Sequence, residues 1–341
     1  MGQGATTGTC AAAAAKAAAL HARGGLASRR VDIPLPGSGR LSVDLLAWGG
    51  ARNAPWASVR KPSNGDPDAT REAVVVVSLR PGESLLFRAG PGVGTVTRAG
   101  LQLAPGEPAI NPGPRRQIAA ALREAGSEDW IVTVSVQGGQ AIARNTFNPR
   151  LGIVGGISIL GTAGIVRPWS MDAFVASTLA HMGVVRARGQ ETLLVVPGHM
   201  GERAAATLAR GLEPVEVGNA WGAVLDRAAE HGFTEIVAVG HPGKLVKLAQ
   251  GQWDTHCSAG SSACSWAHRF LRRSLSPSRA GQLAPSDTLE GLLVPLPESI
   301  RREASEHLAT RAAKAIGRRA GMPARVLFVD LKGKFLGEGM S

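Results

Sequence analysis

Three glycine-rich loops, each directly after a hydrophobic run, hold the residues best suited to bind a small ligand. The hydrophobic runs are 192–196, 214–217 and 235–239, and the loops that follow begin at Pro197-Gly198, Gly218-Asn219 and Gly240-His241. Each loop leads into a helical pattern, which predicts strand–loop–helix units with parallel strands. Ligands of such sheets bind at the carboxyl ends of the strands. We therefore expect a ligand at these three loops.

The third loop, Gly240–Lys244, has a superficial likeness to a phosphate-binding loop. It lacks the wider spacing between glycines that such a loop needs, and no Ser or Thr follows Lys244, so the pattern excludes a magnesium–nucleotide site of that kind. A strand end with two glycines and a lysine at a helix start still suits a carboxylate or a ribose. A plain helix cap is the alternative.

A second glycine pattern, at Gly90, Gly92 and Gly94, has the spacing of dinucleotide-binding loops. Those loops must open a helix, because the amino end of the helix faces the ligand. Here the following residues, Thr95–Arg98, predict a strand. The glycines are therefore interpreted as a tight hairpin turn.

Two groups of residues invite a metal-site interpretation. The first contains His256, Cys257, Cys264 and His268, but the six residues between the cysteines fit poorly with the close pairs of structural zinc sites. The second is Asp66 and Asp68, which could act as a base or a metal pair or simply belong to a loop rich in Gly and Pro. The sequence predicts no metal site.

The charge of the chain narrows the class of ligand. Its 341 residues include 38 Lys and Arg against 26 Asp and Glu, a net charge of +12. Such a field attracts nucleic acid, an anionic membrane or a small molecule with many carboxylates. Aromatic residues make up 4% of the chain and there is no Tyr, which argues against nucleic acid because single-stranded binding needs stacking platforms.

The remaining bulk features indicate the compartment. No run of about 18 apolar residues is present, so no membrane span is predicted. The Ala-rich run Ala11–Leu20 contains Lys16 and has no basic region before it, which does not fit a signal peptide. Three cysteines do not make a disulfide framework. We expect a cytoplasmic location.

The pattern of elements changes after Arg150. Residues 1–150 predict an α+β domain, with helices at 6–22 and 114–125 and short strands joined by turns. Residues 151–341 predict a Rossmann-like parallel α/β domain that ends in a strand at 325–330. The Ser- and Arg-rich segment near 258–279 predicts an irregular insertion.

Several long strings resemble the cobalt-precorrin-5B C(1)-methyltransferase (CbiD) family, in the family's order. The strings are GATTGTCAAAAAKAA at 4–18, GDPDAT at 65–70, GVGTVTRAGLQLAPGEPAINPGPR at 92–115, NTFNPRLGIVGGISILGTAGIVRPWS at 145–170, GNAWG at 218–222, and GHPGKLVKLAQG at 240–251 followed by Thr255-His256. They cover roughly residues 4 to 256. Collinear strings of this length are far more specific than a single glycine loop.

The resemblance implies a methyltransferase of anaerobic cobalamin biosynthesis. S-adenosylmethionine would donate a methyl group to C-1 of cobalt-precorrin-5B, giving cobalt-precorrin-6A, with cobalt present only as part of the substrate. The family is unrelated in sequence to the other tetrapyrrole methylases, so a fold distinct from theirs is implied. The expected partner is the tetrapyrrole alone, without nucleic acid or membrane, and a homo-oligomer is left open.

Site residues follow from the positions that match the family's strings. Candidate bases are His256, His241 and Asp68, the histidines because their ordinary pKa lies nearest to neutral pH. Candidate cofactor-binding residues are Ser158, Gly161, Thr162, Gly198, Gly218, Asn219 and Gly240. Candidate substrate-binding residues are Thr7, Asp66, Glu107, Asn111, Arg115, Arg150, Lys244 and Lys247, of which the cations would pair with carboxylates.

The chain departs from the family's pattern at Pro62, Gly65, Cys257 and Ser261, and Ala5 stands where the family often has Tyr. In the family's pattern, acidic residues stand where this chain has Pro62, Gly65 and Ser261, and Ser stands where it has Cys257. If those acids act in catalysis, this chain would be weakened or altered in specificity. An inactive homologue that binds a corrinoid precursor is therefore the alternative hypothesis.

Overall fold

The computed structural model describes residues 4–63, 68–126, 128–161, 164–166, 171–256 and 263–341. The chain divides into two compact units, Met1–Ser170 and Met171–Ser341. Both combine helices with sheets, so the protein is of mixed α/β class. Asp66, Thr162, Gly65, Cys257 and Ser261 lie outside the described residues.

The first unit contains four helices and thirteen short strands among its described residues. In chain order they are β1 (Gly4–Ala5), α1 (Thr7–Ala22), β2 (Arg30–Pro34), β3 (Arg40–Asp44), β4 (Ala47–Gly49), β5 (Trp56–Arg60), β6 (Val74–Pro81), β7 (Leu86–Ala89), β8 (Gly92–Val93), β9 (Thr95–Val96), α2 (Pro112–Glu124), β10 (Trp130–Val136), α3 (Gly139–Ala143), α4 (Asn148–Leu151), β11 (Ile153–Val154), β12 (Gly156–Ile157) and β13 (Ile165–Val166).

The second unit alternates strands and helices before ending in a hairpin. Its elements are α5 (Met171–Ala187), β14 (Thr192–Val196), α6 (His199–Leu208), β15 (Pro214–Glu216), α7 (Trp221–Leu225), β16 (Glu235–Gly240), α8 (Pro242–Ala249), α9 (Ala263–Ser274), α10 (Pro277–Ala280), α11 (Leu289–Leu293), α12 (Glu298–Ala320), β17 (Ala324–Val329) and β18 (Phe335–Met340).

Helix α1 forms because its run of alanines has the highest helix propensity and its start is capped. The Thr6 hydroxyl accepts a hydrogen bond from the Thr9 amide at 3.1 Å. Alanines on all sides of the helix are buried, which allows strands β5 and β6 and helix α2 to pack closely around it. The predicted helix over 6–22 is confirmed.

The first unit is built on a five-stranded sheet in the order β4-β5-β6-β10-β7. All pairs are antiparallel except β10 with β7. Strands that follow Arg150 return to this unit, since β11 pairs with β9 and β12 with β8. The unit therefore runs to Ser170, past the predicted break after Arg150. The hairpin predicted at Gly90–Gly94 is wrong, because β8 and β9 pair with these later strands instead.

The second unit contains a five-stranded sheet in the order β15-β14-β16-β17-β18. The first four strands are parallel and β18 is antiparallel to β17. Alternate residues of β14 point to opposite faces of the sheet and belong to different hydrophobic clusters. Leu193 and Val195 belong to one cluster, and Leu194 and Val196 belong to the other. Since both faces of the sheet are covered, its polar chemistry is confined to the loops at the strand ends.

The segment predicted as irregular over 258–279 is largely helical where the structure describes it. Helix α9 places Cys264, Ala267 and Leu271 on one buried face. Their spacing is that of an amphipathic helix, and the exposed Ser and Arg residues between them hid this pattern.

Candidate functional site

Four parallel strands of the second unit end at one edge of their sheet, and their loops form the candidate site. The pairing of Gly240 with Phe328, and of Val196 with Glu216, places these strand ends side by side. The loops begin at Pro197, Val217, His241 and Asp330. This is the position where ligands of parallel α/β sheets bind.

The loop after β15 is joined to the segment that contains His256. The Thr255 hydroxyl donates to Asn219 Oδ1 at 3.1 Å, and the Thr255 amide donates to the Asn219 carbonyl at 3.3 Å. Lys247 Nζ donates to the carbonyls of Thr255 at 3.1 Å and His256 at 3.3 Å. Three predicted site residues, Asn219, Lys247 and His256, are thus brought together.

These contacts give the three residues different roles. The Lys247 ammonium donates to two backbone carbonyls and so holds the loop, while its role in binding a substrate carboxylate stays a prediction. Asn219 Oδ1 is occupied by Thr255, which orients the side-chain amide, and Nδ2 has no hydrogen-bond partner among the described residues. His256 is exposed, and its backbone amide donates to Asp254 Oδ1 at 3.0 Å.

The loop after β16 is organised by His241. Its Nδ1 accepts a hydrogen bond from the Gly243 amide at 3.0 Å, which caps helix α8. Its Nε2 lies 2.8 Å from Glu290 Oε2. An Nδ1 that accepts must be unprotonated, so Nε2 carries the proton and donates it to the carboxylate. Lys244 is half-buried on the first turn of the same helix.

The three glycines predicted to bind the cofactor differ in their surroundings. A side chain at Gly198 would meet only Glu216 Oε1, 3.7 Å away, so the backbone there faces open space. Gly218 has a left-handed φ of +54°, and Gly240 packs against the ring of Pro197. Of the three, Gly198 is the one whose backbone a ligand can approach directly.

The predicted cofactor segment of the first unit is tightly packed. The Thr7 hydroxyl donates to the Leu160 carbonyl at 3.2 Å and accepts from the Leu160 amide at 2.9 Å. Gly161 has a φ of +150°, and a Cβ there would lie 2.3 Å from the Thr6 hydroxyl. Ser158 donates to Asn148 Oδ1 at 3.1 Å. These residues form a junction between the loop and the start of α1.

Helix α2 begins at the same junction. The Asn111 amide donates to the Ile159 carbonyl at 3.1 Å, while its side chain makes no capping bond. Because Pro112 and Pro114 have no amide hydrogen, this helix start offers few donors to an anion.

Glu107 and Arg115 are paired with each other. Arg115 Nη1 donates to Glu107 Oε1 at 2.8 Å, and its Nε donates to the Ile110 carbonyl at 2.7 Å. The guanidinium also lies 5.6 Å from the ring centre of Phe87. Hydrogen bonds from the Ala104 amide and Arg115 lower the pKa of Glu107. The two residues hold the turn before α2, and their substrate-binding role stays a prediction.

Asp68 forms an ion pair with a lysine that is almost fully buried. Lys61 Nζ lies 2.7 Å from Asp68 Oδ2, and the Lys61 side chain is 3% exposed. Burial raises the pKa of Asp68, but hydrogen bonds from Lys61 and from the amide and hydroxyl of Thr70 outweigh it and leave the pKa below its ordinary value. An ionised, paired carboxylate of this kind is a weak general base.

The last predicted residue, Arg150, lies in α4, and its carbonyl accepts from Arg98 Nη1 at 3.2 Å. Two important residues were not predicted, Glu290 and Lys61. Glu290 stands 49 residues after its partner His241, and no local pattern signals such a contact. Lys61 precedes a loop rich in Gly and Pro, where a charged residue normally indicates solvent exposure.

Two surface cavities, of about 490 and 510 Å³, lie at the opposite, amino edge of the second sheet. Arg311, Lys314 and Arg318 line the first, and Gln190, Thr192 and Glu213 are among the residues lining the second. The loops at the carboxyl edge contribute to neither cavity. Shape alone therefore does not identify the site, which is defined by the loop geometry above.

Membrane-spanning helices and clusters of metal-ligating side chains are both absent from the described part of the chain. None of its helices is both long and apolar enough to cross a membrane. No three of its His, Cys, Asp and Glu residues are grouped so that they could hold a metal ion.

Comparison with known proteins gives one consistent family. The CbiD family model matches residues 1–168. The cobalt-precorrin-5B C(1)-methyltransferase of Syntrophotalea carbinolica is 40% identical over 339 residues, 98% of this chain and 96% of its own length. The protein of the same name from Methanocaldococcus jannaschii is 36% identical over 344 residues, 98% and 95% of the two chains.

One solved structure is also similar, the crystal structure of the cobalamin biosynthesis protein (cbiD) from Archaeoglobus fulgidus. It is 28% identical in sequence, covers 74% of this chain and 81% of its own, and superposes with a TM-score of 0.40.

Proposed function

The chain belongs to the cobalt-precorrin-5B C(1)-methyltransferase (CbiD) family, and we propose that it methylates C-1 of cobalt-precorrin-5B to give cobalt-precorrin-6A. The observation that carries this proposal is the 40% identity over 98% of the chain to a relative of that name. The reaction belongs to the anaerobic route to cobalamin. Cobalt enters only as part of the substrate.

S-adenosylmethionine is the proposed methyl donor, and the carboxyl-edge loops of the second unit fit it. The open backbone at Gly198 permits close approach of a ribose or an amino-acid moiety. The Asn219 amide, oriented by Thr255, has a donor available for a ribose hydroxyl or a carboxylate. When bound, the donor supplies an electrophilic methyl group on a sulfonium. A Rossmann-like interpretation of this sheet is part of the proposal, and it supports a ligand at these loops.

The protein's main contribution is positioning. Methylation of carbon needs an electron-rich ring carbon aligned with the sulfonium methyl, and holding two large ligands in that geometry removes much of the entropic barrier. The packed clusters on both faces of the sheet hold the strands, and so the starts of these loops, in place. The net charge of +12 attracts the carboxylates of the macrocycle.

The candidates for a general base differ in their surroundings. His241 has both ring nitrogens in hydrogen bonds to the protein. Asp68 is paired with Lys61. We propose His256 as the base because it is exposed beside the loops of the candidate site, on a segment that Lys247 and Asp254 hold in place, and a base must be able to reach the ligand.

A direct assay tests the proposal. The purified protein is incubated with cobalt-precorrin-5B and S-adenosylmethionine that carries a labelled methyl group. We expect label in the tetrapyrrole and equimolar S-adenosylhomocysteine. Tight binding of the tetrapyrrole without transfer of label would contradict the proposal and indicate a carrier.

A further inference from the structure

The turn between β17 and β18 is held in a fixed shape at the carboxyl edge of the second sheet. We refer to residues 330–335 as the Leu331 turn. Asp330 Oδ1 accepts hydrogen bonds from the amides of Lys332 at 2.9 Å and Lys334 at 2.8 Å. The Asp330 amide also donates to the Lys334 carbonyl at 2.9 Å. One carboxylate thus organises the whole turn.

The Leu331 turn is also tied to the loop after β16. Glu290 Oε2 accepts from His241, and Glu290 Oε1 lies 3.5 Å from the Leu331 amide. A single carboxylate therefore spans two neighbouring loops of the candidate site. This places the turn beside the start of helix α8.

Although the turn is ordered, it presents apolar and cationic side chains to solvent. Leu331 is 59% exposed, and Phe335 and the nearby Val294 are also exposed. Val294 lies one helical turn after Glu290, and the Val294 amide donates a hydrogen bond to the Glu290 carbonyl. Lys332 and Lys334 are exposed, and neither has an ion-pair partner among the described residues. The two acids close by, Asp330 and Glu290, are already engaged.

A surface that combines exposed apolar groups with unpaired cations complements a flat macrocycle with carboxylates at its rim. Apolar side chains grouped on a surface mark interaction sites more often than single ones do. Lysine ammonium groups bind carboxylates by charge-assisted hydrogen bonds, and an aromatic ring such as that of Phe335 packs on another π-system.

We propose that the Leu331 turn, together with Val294, is a binding surface for the tetrapyrrole substrate. Leu331 and Phe335 contact the face of the macrocycle, and Lys332 and Lys334 bind its carboxylates. The inference rests on the proposed function for the identity of the substrate. It adds residues that lie outside every family string recognised in the sequence.

Two variants test the cations and the apolar residue separately. Lys332→Ala/Lys334→Ala should raise the KM for cobalt-precorrin-5B about tenfold, with the donor KM unchanged within twofold, since two charge-assisted contacts are lost. Leu331→Ser should raise the same KM several-fold. Matched controls are Lys314→Ala, at the amino edge, and Met340→Ser, which is 60% exposed at the far end of β18.

Binding measured without the donor separates this proposal from the proposed function. Uroporphyrin, a polycarboxylated porphyrin, serves as the probe. Its affinity should be lower for both variants than for the wild type. Added salt should weaken binding less steeply for the double variant, which has lost two cations. If the wild type binds uroporphyrin but transfers no methyl group, the proposed function fails while the surface stands. Unchanged uroporphyrin affinity and unchanged KM in the variants would overturn the proposal that this surface binds the tetrapyrrole. A Leu331→Ser protein that differs from the wild type only in its oligomeric state would also overturn it.

Discussion

His241 and Glu290 form a hydrogen-bonded pair, with Nε2 and Oε2 2.8 Å apart, while the other ring nitrogen of His241 caps helix α8. The pair fixes the tautomer of the histidine and joins two loops at the carboxyl edge of the sheet. A histidine that acted as a base through Nδ1 would have to release the Gly243 amide. We therefore propose a structural role for His241, and its role as a base stays a prediction.

Substituting Asn for His241 separates the two roles. Asn is a good N-cap and cannot act as a base, so His241→Asn should keep turnover, whereas His241→Ala should lower the free energy of unfolding by about 1 kcal/mol because the cap is lost. Urea unfolding and steady-state kinetics measure both effects. Loss of turnover in a stably folded His241→Asn protein would restore His241 as the base.

For His256→Asn, by contrast, we expect lower turnover with little loss of substrate binding.

The hydrogen bond between Thr255 and Asn219 should control affinity for the donor. Thr255→Val removes the hydroxyl that orients the Asn219 amide, and we expect the KM for S-adenosylmethionine to rise about fivefold, the effect of one hydrogen bond. The matched control is Thr192→Val, whose hydroxyl contacts Glu235 Oε2 at 3.3 Å at the amino edge. Equal effects of the two substitutions on the donor KM would argue against a donor site at Asn219.

The Lys61–Asp68 pair should be important for stability. Asp68→Asn leaves a buried ammonium without its partner and should lower the free energy of unfolding by roughly 3 kcal/mol. The double variant Lys61→Met/Asp68→Asn should recover most of that loss. Asp44→Asn is the control, because its pair with Arg30 is exposed and worth less than about 1 kcal/mol. A double variant no more stable than Asp68→Asn would contradict this account.

Glu124 should make stability depend on pH in the acid range. Hydrogen bonds from Arg40 and Lys16 lower the pKa of Glu124 from 4.5 to about 2. Because the folded value lies below the unfolded one, the stabilisation is complete above pH 4.5 and is lost as the pH falls towards 2. Glu124→Gln should lower the free energy of unfolding by about 1 kcal/mol at neutral pH, after solvent screening. Near pH 2, the pKa of Glu124 in the folded protein, the substitution should have no effect.

Urea unfolding of the wild type and of Glu124→Gln, from about pH 2 to neutral pH, measures this difference in stability. Glu230→Gln, which removes one partner of an exposed pair with Arg227, is the matched control and should change little. A constant stability difference at every pH would show that the charge of Glu124 is not responsible.

The sequence predicted those elements whose signal is local. The alanines of α1, with their threonine cap, and the hydrophobic strands β14 and β16 are found where the sequence predicts them. Strand β18 was missed because its glycines indicate a loop. A Cβ at Gly339 would lie 2.0 Å from the Thr310 amide, so glycine is needed where α12 packs on the strand.

The site was predictable only as far as its backbone. The strand ends, and so the loops at Gly198, Asn219 and His241, follow from the alternation of strands and helices. The partners of their side chains do not, because Thr255 and Glu290 reach them through tertiary packing. Arg115 is hydrogen-bonded to Glu107 and to backbone carbonyls, a local arrangement that its charge alone did not indicate, and its role in substrate binding stays a prediction.

The position of the transferred methyl group tests the central claim most directly. Cobalt-precorrin-5B is incubated with the protein and S-adenosylmethionine labelled in its methyl group, and the tetrapyrrole product is analysed by NMR. The account predicts a single labelled methyl group on C-1 of the macrocycle. Label on another atom, or an unlabelled tetrapyrrole recovered from folded protein, would contradict it.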